Sequence, residues 1–326
     1  MPVEKCSKAD CPAPDGLCVL NGGPHQQCDS FKRNSSTEEK ADKGNKTEVD
    51  VPWTGTVWEP DDLGFISQRS SPLTIGLIGS AGAGKTTYLA MLYTLLFNGK
   101  GFANWRFSGS YTLRGWELQA RTLQIEDGGV VAFPLTTSSA PDFYSIYHLA
   151  LKKGGQLRDV LLADSSGEVF SKWATDVNDP GAENARWIYE KADAFMFFID
   201  CEKLIKDRAR AKRKIMKMAR QLQANLKNRS VMVVWSKADK MKDVLPNLKE
   251  EIEIGINSLF PRATVLPISN YSKSDNDEFC QINNLKASEH LLELATQSNS
   301  ATLKVSPSDI PTDDYFFLYK GSYGSK

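Results

Sequence analysis

The sequence predicts an α/β fold: a three-layer sandwich whose sheet is mostly parallel, carries one antiparallel strand pair and has helices on both faces. Three observations predict it. Apolar runs of strand length alternate with stretches of helical period over residues 51–298, which argues a parallel sheet covered on both sides. In LTIGLIGSAGAGKTTYLAML, residues 73–92, small residues join an apolar run to a helical pattern. In FYSIYHLALKKGGQLRDVLLAD, two apolar runs flank Lys152-Lys153-Gly154-Gly155, a hairpin signal that reverses one strand.

The elements follow in order. LTIGLIG reads as a buried strand, and GKTTYLAMLYTLLFNG as a helix ending at Gly99. NWRFSGSYTL reads as extended and GWELQARTLQI as helical, and the hairpin follows. ADAFMFFID is a strand, KLIKDRARAKRKIMKMARQLQANLK a long helix, and VMVVWSKAD and ATVLPISN two strands separated by the helix LPNLKEEIEIGINSLF. In the long helix Ala211, Ile215, Met218, Leu222 and Leu226 share one face, so its many Lys and Arg residues form the solvated side of a covering helix rather than a nucleic-acid patch.

The 326 residues are 41% hydrophobic and 25% charged, with a formal net charge of +0. Neutrality gives neither nucleic acid nor an anionic membrane a general hold. No apolar run is long enough to span a bilayer, and MPVEKCSKAD lacks the pattern of a signal peptide; a cytoplasmic protein is expected. By composition the chain divides into a Cys-rich head (1–31), a polar linker (32–50), the α/β domain (51–298) and a tail without helical period (299–326). The head brings Cys6, Cys11, Cys18, Cys28 and His25 within a segment too short for an apolar core. Thiolates and imidazole suit tetrahedral Zn²⁺, which would staple the head; a disulfide pair or free thiols are the competing readings. Cys201 and Cys280 stand apart and are expected to be inert.

GSAGAGKT, Gly79 to Thr86, matches G-x-x-x-x-G-K-[ST] in full between a strand and a helix. Backbone N–H groups must converge on phosphate oxygens, which Gly79, Gly82 and Gly84 permit around Ser80, Ala81 and Ala83. Lys85 brings a compact charge to the β- and γ-phosphates, Thr86 a hydroxyl for Mg²⁺, and the helix opening through Thr87 its positive end. A nucleoside triphosphate is implied, with its base still open.

Two strand ends carry the rest. LRDVLLADSSGE ends in Asp164, which can hold Mg²⁺ through water, and the Gly167 N–H can sense a γ-phosphate. VMVVWSKADK ends in Ser236-Lys237-Ala238-Asp239. A fixed carboxylate at Asp239 accepts two hydrogen bonds from the ring N–H and amine of guanine, a donor pair adenine lacks. The Lys237 stem can lie along the base with its head in water. One strand later Ser269 and Asn270 stand where a loop could touch the base from its other side.

These elements in this order resemble the translation-factor-related (TRAFAC) class of P-loop GTPases, in which the strand leading into the D-x-x-G motif runs antiparallel to its predecessor. GSAGAGKTTYLAMLYTLL, YTLRGWE, LLADSSGEVF and the Cys-rich head are similar to the bacterial double-GTPase family of conflict and defence systems. The resemblance implies the P-loop GTPase sandwich, Mg²⁺-dependent hydrolysis of GTP to GDP and phosphate, and coupling to a protein effector, an activating partner, a homodimer or a paired GTPase.

The sequence departs from that pattern twice. Most such GTPases have Asn where Ser236 stands, to tether the base-reading loop to the phosphate loop. Glu168 occupies the place of a water-orienting glutamine, and its charge opposes the γ-phosphate, so slow intrinsic hydrolysis is expected. The switch threonine is sought in FPLTTSSAPDF, as Thr136 or Thr137. Arg186 reads as a helix-surface salt bridge rather than an internal arginine finger. A GTP-binding module with negligible turnover, and a P-loop ATPase, are the alternative functions.

Overall fold

The computed structural model describes residues 55–66, 72–97, 99, 105–121, 124–126, 129–132, 137–140, 143–224, 226–270, 278–298, 303–307 and 319–323. The chain divides into two compact units, Met1–Val51 and Pro52–Lys326, and every described residue belongs to the second. The Cys-rich head with its five candidate zinc ligands, the linker and Thr136 lie outside the described residues.

The strands are β1 (Leu73–Gly79), β2 (Arg106–Gly109), β3 (Gln124–Glu126), β4 (Gly129–Ala132), β5 (Ser145–Lys153), β6 (Gln156–Asp164), β7 (Ala194–Asp200), β8 (Ser230–Ser236), β9 (Thr264–Ile268), β10 (Leu303–Pro307) and β11 (Tyr319–Tyr323). The α-helices are α1 (Lys85–Phe97), α2 (Leu113–Arg121), α3 (Gly167–Trp173), α4 (Glu183–Lys191), α5 (Cys201–Ala224), α6 (Pro246–Leu259) and α7 (Asn283–Ser298). Seven strands form the main sheet in the order β2-β5-β6-β1-β7-β8-β9. From β6 to β9 all neighbours are parallel, while β5 is antiparallel to β6 and to β2. The reversal follows from Gly154, whose φ of 57° closes a two-residue turn between Lys153 and Gln156.

Period-two alternation builds the three layers. On one face Phe195, Phe197, Ile199, Val233 and Trp235 pack with α3, α4, α5 and α6. On the other, Ile75, Leu77, Met196, Phe198 and Val234 pack with α1, α2 and α7. β1 and β7 are buried along their whole length, which is why both read as unbroken apolar runs. The strand ends Gly79, Asp164, Asp200 and Ser236 therefore gather at one edge of the sheet, where ligands bind in open α/β folds.

The structure differs from expectation in four places. Ser110–Thr112 is not strand: α2 opens at Leu113, because Thr112 Oγ1 accepts from His148 N at 2.9 Å and Trp116 Nε1 donates to His148 O at 2.9 Å, pinning the segment as a turn. Gln124 and Ile125 leave the expected helix and pair, with Glu126, against β4. α5 is kinked at Arg208, with φ 43° and ψ −120°, although neither Gly nor Pro marks the spot. The tail contains an antiparallel ribbon, β10–β11. Within α5, Ala211, Ile215, Met218 and Leu222 are buried as their spacing demands.

Candidate nucleotide-binding site

At the end of β1, Gly79 lies so close to β7 that a Cβ would meet Phe198 Cβ at 2.9 Å. The loop through Ser80, Ala81 and Ala83 then uses left-handed backbone at Gly82 (φ 72°) and Gly84 (φ 85°), where L side chains are disfavoured. α1 opens at Lys85, whose side chain is buried and donates to Gly79 O at 3.3 Å. Burial pushes the Lys85 ammonium below its ordinary value; Asp164 opposes this and Lys203 adds to it. Beside the loop opens a cavity of about 300 Å³, lined on one side by residues 81–87 and on the other by Thr137, Ser165, Ser166, Gly167, Glu202 and Lys237.

Three oxygens meet at its floor. Thr86 Oγ1 donates to Asp164 Oδ2 at 2.8 Å, Thr137 Oγ1 donates to the same oxygen at 2.9 Å, and the two hydroxyls lie 3.1 Å apart. Asp164 Oδ1 is buried with no hydrogen-bond partner among the described residues. Burial pushes the Asp164 carboxyl up, opposed first by Lys85 and then by the two threonines. Hard oxygen donors with one orphaned carboxylate oxygen fit Mg²⁺. Among the described residues no group of three or more His, Cys, Asp or Glu could hold a metal ion.

Gly167 packs directly on the phosphate loop: a Cβ there would sit 1.9 Å from Ala81 N and 2.1 Å from Ser80 C. Ser166 caps α3 by accepting from Glu168 N at 3.2 Å. Glu168 itself is exposed and does not line the cavity. Arg186 donates to Val177 O at 3.0 Å, so its partner is a carbonyl rather than the expected carboxylate.

On the opposite side Asp239 follows β8 through Lys237, which takes left-handed backbone (φ 55°, ψ 46°). Asp239 is exposed, and its Oδ1 accepts from Ser269 Oγ at 3.1 Å. The Lys237 side chain, expected to hold its head free in water, is partly exposed and its head is paired. It donates to Asp200 Oδ2 at 3.0 Å and to Glu202 Oε2 at 2.9 Å, because β7 and β8 are neighbours and Asp200 stands opposite Ser236. Ser236 Oγ is spent on Ile199 O at 3.2 Å. Asn270 Nδ2 donates to Gly84 O at 3.0 Å.

The family model described as Double-GTPase 2 matches residues 73–294, well over half of the chain and the whole of this site. The chain belongs to the Double-GTPase 2 family. A comparison with curated proteins finds no match. Among solved structures, the chain is similar to Roco2 RocCORdC of Methanosarcina barkeri bound to GDP, at 16% identity and TM-score 0.38, over 69% of this chain and 50% of that one. It therefore spans half the length of that Roco2 chain. It is also similar to nucleolar GTP-binding protein 1 of Plasmodium falciparum, at 13% identity and TM-score 0.39, over 71% of this chain and 91% of that one.

In this Double-GTPase 2 chain the structure brings together Thr86, Thr137 and Asp164, with Gly167 against the loop at Ser80 and Ala81, and, separately, Asp239 and Ser269. Glu168 stands off the cavity. Sequence reasoning missed Ser165, Ser166 and Glu202 as lining residues. The two serines were legible as the interior of D-x-x-G; Glu202 carried no signal, since only the neighbouring of β7 and β8 brings it to Lys237.

Proposed function

We propose that this protein binds GTP with Mg²⁺, hydrolyses it slowly to GDP and phosphate, and acts as a nucleotide-dependent switch read by a protein partner or a second copy. The observation that carries the base choice is the pinning of Asp239 by Ser269: one carboxylate oxygen is fixed at 3.1 Å, which orients the group as an acceptor pair for the guanine edge. Adenine presents no such pair.

Lys85 supplies a buried positive charge where the β- and γ-phosphates would lie, and the amides of residues 80–86 supply converging donors. Thr86, Thr137 and Asp164 would hold Mg²⁺, which when bound neutralises charge between those phosphates. Water attacks the γ-phosphorus and the electron pair of the broken bond leaves with GDP, so the chain's task is orientation and charge. Among the described residues no arginine lines the cavity, and Glu168 is exposed, which supports a low intrinsic rate. The same observation favours a second reading, a GTP-binding module with negligible turnover.

Titrating the purified protein with GTP and ATP in Mg²⁺ tests the first claim; equal competition by ATP overturns it. Single-turnover phosphate release by wild type and Glu168→Ala separates slow hydrolysis from none. For the Cys-rich head we propose Zn²⁺ on four of Cys6, Cys11, Cys18, Cys28 and His25; metal analysis of the full chain, with less than one zinc per chain, would refute it.

A further inference from the structure

The Asn270 carboxamide crosses 186 sequence positions to donate to Gly84 O at 3.0 Å. That carbonyl also accepts from Tyr88 N at 2.8 Å, the first helical bond of α1. It is the hinge peptide between the phosphate loop and its helix. The approach is close: a Cβ at Gly84, whose φ of 85° already favours glycine, would sit 3.3 Å from Asn270 Nδ2. Ser236 cannot make this reach, because its hydroxyl is short and bonded to Ile199 O within the sheet.

Asn270 is itself held on a rigid mount. Ser269 N donates to Phe279 O at 3.0 Å, Asn284 Nδ2 donates to Ser269 O at 3.0 Å, and Asn283 Nδ2 donates to Pro267 O at 2.9 Å. The start of α7 thus fixes the end of β9 from below. From that mount two consecutive side chains point to the two ends of the ligand site: Ser269 to Asp239, and Asn270 to Gly84. Asn270 Oδ1 is buried with no hydrogen-bond partner, so among the described residues the bond to Gly84 is the one this carboxamide makes.

We propose that Asn270 is a positioning residue that clips the phosphate loop to the base-reading loop, taking from β9 the tether that Ser236 on β8 is too short to supply. The clip makes the order of the phosphate loop depend on the same two-residue step that orients Asp239. Its nucleotide consequence rests on the guanine reading above; its effect on the loop does not.

Two variants test it. Asn270→Ala removes the amide, and Asn270→Asp keeps its shape while losing the donor. Amide exchange is followed in nucleotide-free protein over residues 79–88, and release of a fluorescent GDP analogue in Mg²⁺. Loss of a buried donor bond predicts exchange of this segment and analogue release about tenfold faster in both variants, with β7 and β8 unaltered and the preference for GTP over ATP retained. Unchanged exchange in Asn270→Asp overturns the clip whatever the nucleotide, as does faster exchange spread over the whole sheet. Locally faster exchange in a chain whose wild type does not retain the analogue upholds the clip and removes the guanine reading.

Discussion

Thr137 Oγ1 donates to Asp164 Oδ2 at 2.9 Å, on the oxygen that Thr86 Oγ1 reaches at 2.8 Å. The Thr137 side chain thereby joins Thr86 and Asp164 beside the loop that opens α1, and Thr137 is a residue to test there. Thr137→Ala removes one hydroxyl from the three-oxygen cluster and should weaken Mg²⁺-dependent GTP retention about tenfold. Thr136→Ala, at the other candidate threonine, is the comparison variant. Binding titrations with and without EDTA measure both; equal losses would remove Thr137 from the proposed metal set.

Asp239→Asn tests the base. An amide offers one acceptor where guanine needs two, so GTP affinity should fall about a hundredfold, the loss of a charge-assisted bond. Xanthine carries a carbonyl where guanine has its amine, so the amide N–H should accommodate it. Competition by GTP, XTP and ATP against a labelled nucleotide reads the shift. A variant that keeps wild-type preference for GTP would show that Asp239 does not choose the base.

The phosphate loop was legible because its chemistry admits few residue types at fixed spacing, and the β5–β6 hairpin because Gly154-Gly155 interrupts two apolar runs. Asp164 was legible as the carboxylate closing a buried strand, and Asp239 as one just beyond another. The rest depended on neighbours that only the fold supplies. Lys237 loses its expected solvated head to Asp200 and Glu202 because β7 lies beside β8. Asn270 meets Gly84 because β9 ends beside the loop after β1, although β7 and β8 lie between those strands. The turn at Ser110–Thr112 read as strand because its hydrogen bonds go to His148, on another element.

Lys237 anchoring should depend on acid. Glu202 accepts from Lys237, Lys240 and Lys206 at 2.9, 3.0 and 3.1 Å, and these bonds, Lys237 first, hold its carboxyl down at about 2 against an ordinary 4.5. A depressed carboxyl stabilises the fold above its unfolded value and loses that contribution as pH falls through the folded one. The advantage of wild type over Glu202→Gln should therefore be full at pH 7, shrink below about pH 4.5 and vanish near pH 2. The carboxylate is partly exposed, so added salt should also reduce it. Urea unfolding midpoints at pH 7 and pH 3 measure this; a constant difference between the two proteins would refute it.

His148 explains why YTLRGWE folds as it does. Its carbonyl accepts from Ser110 Oγ at 2.6 Å and Trp116 Nε1 at 2.9 Å, and its Nδ1 accepts from Tyr111 N at 3.0 Å. With Nδ1 accepting, the ring proton sits on Nε2 and points to Asp159 Oδ1 at 3.0 Å, both side chains being buried. Trp58 stacks on the ring at 5.3 Å between centroids. Glycine at 115 lets α2 approach residues 56–57, since a Cβ would lie 2.9 Å from Val57 N. Removing the imidazole takes a hydrogen-bond partner from a buried carboxylate and opens a void under Trp58. His148→Ala should therefore cost about 3 kcal/mol of stability, lowering the urea midpoint without altering the slope. His148→Gln, which can still donate to Asp159, should recover part of that loss. A cost below about 1 kcal/mol in His148→Ala would mean that the pair contributes no more than an exposed one.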